Sequence, residues 1–200
     1  MGKITKEGEV KWLRNTGSTI RDILAEKGAI AADKQGNYYV SKAISDKQSK
    51  LVKYSPSGEE VWTKEIALVN DIDIKNDKVF ITGSSALLIL DLNGNEIIKG
   101  ESIDQYGEGN DILVDGTGNI YVAGFYNINL WVSPEDRDVA LIKYDSVGKV
   151  LWKKRFYGPI GSEYGDGLAL DQENDVYLTG RFNGDMYIDS GFFTNGTDLH

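Results

Sequence analysis

The sequence predicts an all-β fold, a β-propeller built from four repeats of a four-stranded blade. Three observations carry this. Two hairpin motifs alternate along the chain and recur four times, in a unit of about 45 residues. Glycine stands at a fixed place in nearly every predicted turn. Strand formers (Val, Ile, Tyr, Phe, Thr) fill the stretches between, and glycine interrupts every window long enough for a helix.

The first motif is an apolar strand, a turn with glycine, and a strand ending near tryptophan. It runs from Leu51 to Trp62 (Lys53-Tyr54-Ser55-Pro56-Ser57-Gly58 at its centre) and returns from Ala140 to Trp152. A copy from Leu88 to Ile98 places Ile98 where the tryptophan stands, and the chain opens inside a fourth copy, Ile4 to Trp12. The second motif is a short apolar strand, a tight turn and a β-branched or aromatic strand closed by a small residue. Asp111 to Gly124 is the clearest copy, with relatives at 29–40, 71–83 and 166–180. In Asp115-Gly116-Thr117-Gly118-Asn119 the aspartate accepts turn N–H groups and a glycine takes the positive φ of a bulged hairpin turn.

Two hairpins make a four-stranded unit, and radial repetition of such units is a propeller. The chain reads as one domain over 1–200, with repeat motifs near 4–43, 51–83, 87–124 and 140–180. First strands such as Leu168-Ala169-Leu170 are apolar on both faces, which suits the innermost strand; the tryptophan strand is then outermost.

Lys143-Tyr144-Asp145 with Gly148 and Trp152, and Asp115 with Gly118-Asn119, Tyr121-Val122 and Gly124, resemble the bacterial β-propeller repeat family called SBBP. The likeness covers nearly the whole chain and is weakest over 84–98. It implies a fold and a surface or extracellular setting; the family has no single activity and supplies no catalytic residues.

The repeat is out of phase with the termini. Thr197-Asp198-Leu199-His200 resembles the stretch just before the Ala140 strand, and joining it to Met1 keeps the register. Two arrangements fit: a piece of a longer propeller, or a ring in which the N-terminal hairpin completes the last blade. An open arrangement exposes a strand edge and invites self-association.

Composition narrows function. The net charge is −9, which disfavours nucleic-acid partners. There is no cysteine, and the one histidine is His200, so neither a Ser-His-Asp triad nor a His/Cys metal site can form inside the fold. No apolar run reaches the ~18 residues of a membrane span, and no signal-peptide core follows Met1.

Topology puts the short turns (Gly8, Gly36, Gly58, Gly94, Gly118, Gly148) on one side and the longer links 13–28, 101–108, 126–137, 155–165 and 182–197 on the other. The link side carries Tyr106, Tyr126, Trp131, Phe156, Tyr157, Tyr164 and Tyr187. These read either as a stacking platform for a protein or carbohydrate ligand, or as caps on the blade cores. Asp71, Asp111 and Asp166 stand at the start of three inner strands, with Glu26 near the first. They read either as a Ca²⁺ site at the channel mouth, or as carboxylates that accept backbone N–H groups and lock blade to blade. The Asp-x-x-Gly-Asn turns lack EF-hand spacing, Asn195-Gly196-Thr197 is a lone glycosylation triplet, and Ser18 to Gly28 has the cap and stop of a short helix.

The expected function is therefore a non-catalytic binding or scaffold module with its ligand on the long-loop face. The alternatives are an enzyme using carboxylates at the channel mouth (hydrolase, lyase or quinoprotein-like) and a structural spacer or assembly unit.

Overall fold

The structure is a computed structural model that describes residues 2–13, 28–100, 107–127, 136–158, 161–182, 185–188 and 191–193. Every regular element among them is a β-strand, and all strand pairing is antiparallel. The hairpin β1 (Gly2–Ile4) and β2 (Val10–Leu13) forms a sheet of its own. The next four strands, β3 (Ile30–Ala32), β4 (Tyr38–Ala43), β5 (Gln48–Tyr54) and β6 (Glu60–Ala67), form a sheet in chain order. So do β7 (Val69–Lys75), β8 (Lys78–Gly83), β9 (Leu88–Asp91) and β10 (Glu96–Lys99). The third sheet runs β11 (Glu108–Val114), β12 (Ile120–Asn127), β13 (Arg137–Tyr144) and β14 (Val150–Tyr157). Strands β15 (Tyr164–Leu170) and β16 (Val176–Arg181) pair with each other, and the hairpin β17 (Met186–Ile188) and β18 (Gly191–Phe193) adds to the outer edge of β14.

This differs in two ways from four equal units. The sheets are offset by half a repeat from the motif boundaries, because β4 pairs with β5 and β12 with β13, joining each second motif to the first motif that follows it. The third sheet has six strands, whereas the β15–β16 sheet has two among the described residues. The helix expected over 18–28 lies almost entirely outside the described residues.

The turns explain why these segments are hairpins. Asp115 Oδ1 accepts the N–H groups of Thr117 (2.8 Å) and Asn119 (2.9 Å), and its Oδ2 accepts from Asn119 Nδ2 (2.8 Å). Asp33 and Asp91 repeat this pattern with Asn37 and Asn95. Burial alone would raise the Asp115 pKa, but the bonds from Thr117 and Asn119 outweigh it and hold the carboxyl at about 2. Gly118 closes the turn at φ +92°, in the left-handed region that costs glycine nothing. The five other turn glycines expected from the sequence also have positive φ. In the β15–β16 turn Asn174 takes that place at φ 66°, and β7 and β8 are joined through Asn76 and Asp77, both at positive φ.

The first strands of successive sheets lie beside one another, β3 by β7, β7 by β11 and β11 by β15. Between them sit two apolar cores. Tyr39, Leu51, Val69, Ile72, Val79, Ile81 and Leu90 fill the first seam, and Phe80, Leu87, Ile89, Ile112, Val122, Ile142 and Tyr144 fill the second. Each such side chain contributes about 1.5–3 kcal/mol on burial.

A polar clasp accompanies the first core. Tyr39 Oη (3.4 Å), Lys53 Nζ (2.9 Å) and Trp62 Nε1 (3.1 Å) all donate to the Leu92 carbonyl in the β9–β10 turn. Burial and the neighbouring Asp33 raise the Tyr39 pKa, so the phenol stays a donor. Trp62 packs under Gly94 of the same turn, and a Cβ there would stand 3.3 Å from the indole. Ile98, which replaces tryptophan in the second sheet, packs in the same way against Gly148.

Candidate functional site

The first strands β7, β11 and β15 carry a bulge at one shared place, between Val69 and Asp71, Gly109 and Asp111, and Gly165 and Gly167. The extra residue there is Asn70, Asn110 or Asp166. Opposite each bulge a glycine admits the backbone. A Cβ on Gly83, Gly124 or Gly180 would meet a carbonyl oxygen at 1.9, 1.9 or 2.1 Å.

Side chains at the bulges stitch sheet to sheet. Asn70 Nδ2 donates to Gly109 O (2.8 Å), and Asn110 Nδ2 donates to Gly165 O (2.9 Å). One residue on, Asp71 Oδ2 accepts the Ile112 N–H (3.1 Å), and Asp111 Oδ2 accepts the Leu168 N–H. Asp73 Oδ2 adds a third stitch from the Val114 N–H (3.0 Å). Burial first, and then a hydrogen bond with the Asp111 carboxyl, pushes the Asp71 pKa up to about 7.

The three described carboxylates singled out in the sequence, Asp71, Asp111 and Asp166, therefore do not share one register place. Asp71 and Asp111 meet across the β7–β11 seam. Asp166 is one register place earlier and matches Asn70 and Asn110; Gly167 stands at the Asp71 and Asp111 position. Matching aspartate to aspartate overlooked the bulged residue. Asp166 instead pairs with Arg181 (2.7 and 3.1 Å) on the surface, which raises the arginine's pKa. In β3 the corresponding place belongs to Ala29, and Glu26 lies outside the described residues. Among the described residues no group of three His, Cys, Asp or Glu side chains is placed to hold a metal ion.

The link ends of β12 to β16 gather aromatic rings and arginines. Tyr164 meets Phe125 edge to face (5.3 Å), and Arg137 lies 4.8 Å from the Phe125 ring and 5.2 Å from that of Tyr164. Arg137 also donates to the Tyr164 hydroxyl and to Asn127 Oδ1. Arg181 covers Tyr164 at 4.6 Å. Tyr157 stacks on Tyr187 (5.5 Å, 21°), with Arg155 5.0 Å from Tyr157. Arg155 pairs with buried Asp138; burial pushes that carboxyl up and the guanidinium pulls it back. Tyr126 packs against the second core instead, and Trp131 and Tyr106 lie outside the described residues. The arginines went unread in the sequence. Arg137 and Arg155 flank the links, but spacing alone did not show that they interleave with rings.

The profile of a family of unknown function, DUF5711, matches residues 6–113, more than half of the chain. The chain belongs to the DUF5711 family. The match spans β2 to β11 and so includes both clasp and stitch from the DUF5711 region into the third sheet. No curated protein matches the DUF5711 chain. A solved structure of a luciferin-regenerating enzyme aligns over 80% of it and 70% of that enzyme, at 13% identity and a TM-score of 0.37. Among the described residues, no helix is long and apolar enough to cross a membrane.

Proposed function

We propose that the chain is a non-catalytic binding module on a β-propeller scaffold of SBBP-like repeats, with consecutive sheets as blades. Its ligand, a protein or a carbohydrate, is held on the long-link face. The observation that carries this reading is the cluster of Phe125, Tyr164, Tyr157 and Tyr187 interleaved with Arg137, Arg155 and Arg181. The half-buried Tyr157, Tyr164 and Tyr187 offer ring edges to sugar rings or side chains, while Phe125, 6% exposed, packs against Tyr164. Arg155 and Arg181 are paired with Asp138 and Asp166, so the surface presents fixed charges of both signs. Trp131, on the 126–137 link, and Tyr106, on the 101–108 link, are the other aromatics expected on this face and lie outside the described residues.

The test is binding to arrayed oligosaccharides and to immobilised surface proteins. A Tyr157→Ala/Tyr164→Ala variant, and separately Trp131→Ala, should weaken any ligand found by at least about tenfold. Unchanged affinity in all of these would remove the face from consideration.

A second reading, carboxylate catalysis at the inner-strand mouth, draws on the Asp71 pKa of about 7 beside Asp111. Against it, both carboxyls already accept main-chain N–H groups. Hydrolase or lyase activity that vanished in Asp71→Asn with the fold intact would favour this reading.

A further inference from the structure

In the third sheet Tyr121, Lys143 and Trp152 repeat the trio that clasps the first seam. Lys143 lies 4.8 Å from the Tyr121 ring where Lys53 lies 5.2 Å from Tyr39, and the Tyr–Trp ring pairs both make 65°. In the first seam the trio grips the outer-hairpin turn of the next sheet, at Leu92 and Gly94. The next sheet after the third is β15–β16, which has no outer hairpin among the described residues.

The β1–β2 hairpin matches such an outer hairpin residue by residue. The Thr5 N–H donates to Glu9 O and the Gly8 N–H to Thr5 O, as Asp91 and Gly94 do in the β9–β10 turn. Lys6 thus stands at the Leu92 place and Gly8, with φ +88°, at the Gly94 place. Lys3 opposes Trp12 and Ile4 opposes Val10, the register of Lys143 with Trp152 and Tyr144 with Val150, with the bulge at the same step.

The β15–β16 sheet shows the complementary lack. Tyr177 occupies the place of Tyr39 and Tyr121, which are 0% and 1% exposed, yet it is 61% exposed. A cavity of about 320 Å³ opens between Val139, Leu141 and Phe156 on one side and Val176 and Leu178 on the other. In the second seam the equivalent space is filled by third-strand residues, Ile142 and Tyr144. Ile4 and Val10 of the hairpin are 60% and 56% exposed.

We propose that the β1–β2 hairpin of the same chain docks on the edge of β16 that pairs with no strand among the described residues, as the third and fourth strands of that sheet. In the register of β12 with β13, Ile4 then faces Val176 and Lys3 faces Tyr177. Ile4 enters the cavity, Lys3 and Trp12 take the register places of Lys143 and Trp152, and the Lys6 carbonyl meets the Tyr121, Lys143 and Trp152 trio. This rests on the reading of consecutive sheets as blades.

The cysteine-free chain permits a direct test. Ile4→Cys/Val176→Cys, oxidised at low protein concentration, should give an intrachain disulfide, seen as faster migration of the monomer on a non-reducing gel. It should form at least about tenfold faster than in the off-register Ile4→Cys/Tyr177→Cys, whose second side chain leaves the opposite face. Melting of the reduced variants checks that each folds. No intrachain bond, equal rates for both pairs, or a bond only between chains would overturn the proposal; the last would assign the edge to a second copy's hairpin. Asp71→Cys/Asp111→Cys tests the side-by-side blades separately. If that pair closes while the hairpin pair does not, only the hairpin assignment fails.

Discussion

Tyr121 and Tyr177 are the same residue in two settings. Each follows an Asx turn and donates its hydroxyl to that turn's aspartate, Asp115 or Asp171, at 3.3 Å. One is 1% exposed and the other 61%. The turn assembles from its own residues and is indifferent to what covers the strand. Burial is decided from elsewhere, by Lys143 and Trp152 for Tyr121, and by the proposed docking of the β1–β2 hairpin for Tyr177. Local chemistry sets the hairpins, and the third strand sets the core.

The comparison can be broken first at the filled seam. Tyr121→Ala should cost about 3–5 kcal/mol in a denaturant melt, the range for deleting a fully buried aromatic ring. A loss below about 1 kcal/mol would mean that the third sheet is not packed as described. Next comes the turn. Asp115→Ala removes a buried acceptor of five hydrogen bonds and should cost about 2–3 kcal/mol. Asp171→Ala, in the exposed copy, should cost less than half as much. Equal losses would show that exposure does not separate the two regions.

The seam itself makes a pH prediction. Asp71 has a folded pKa near 7, above its ordinary 3.8, so between those values the folded state holds a proton the unfolded state has released. Stability from this group is therefore complete below about pH 4 and declines as pH rises through 7. Asp71→Asn should leave stability unchanged near pH 4 and raise it by about 1 kcal/mol at pH 8, after solvent screening of a partly exposed site. A variant that loses stability equally at both pH values would sink the raised pKa of Asp71. The smallest effect concerns Tyr177. A double-mutant cycle of Tyr177→Ala with Trp12→Ala should show a coupling of about 0.5–1.5 kcal/mol if the hairpin covers the ring, and none if it does not.

Much of this was legible in the residues. Glycines at 8, 36, 58, 94, 118 and 148 announced the turns, because φ near +85° is costly for any side chain. Aspartate at the turn start announced its own hydrogen bonds. Of the two uses weighed for Asp71 and Asp111, the structure displays main-chain acceptance across a seam. The bulges were not legible. One inserted residue leaves the apolar pattern intact on both sides, so Asp166 was aligned with the wrong neighbours and Asn70 and Asn110 were passed over. The Arg137 position between Phe125 and Tyr164 joins residues from three strands, which no local pattern encodes. The unequal sheets escaped for a related reason: strand number depends on which hairpins find each other, and each hairpin looks complete by itself.

The aspartate stitches have a consequence for how such a chain can change. Asp71 reaches an amide 41 positions ahead and Asp111 one 57 positions ahead, yet each makes the same bond at the same bulge. The seam is indifferent to the length of chain paid out between its two ends. Links between the strands can therefore lengthen, shorten or diverge while the alignment of neighbouring sheets is preserved, leaving the links free to vary and the seam fixed.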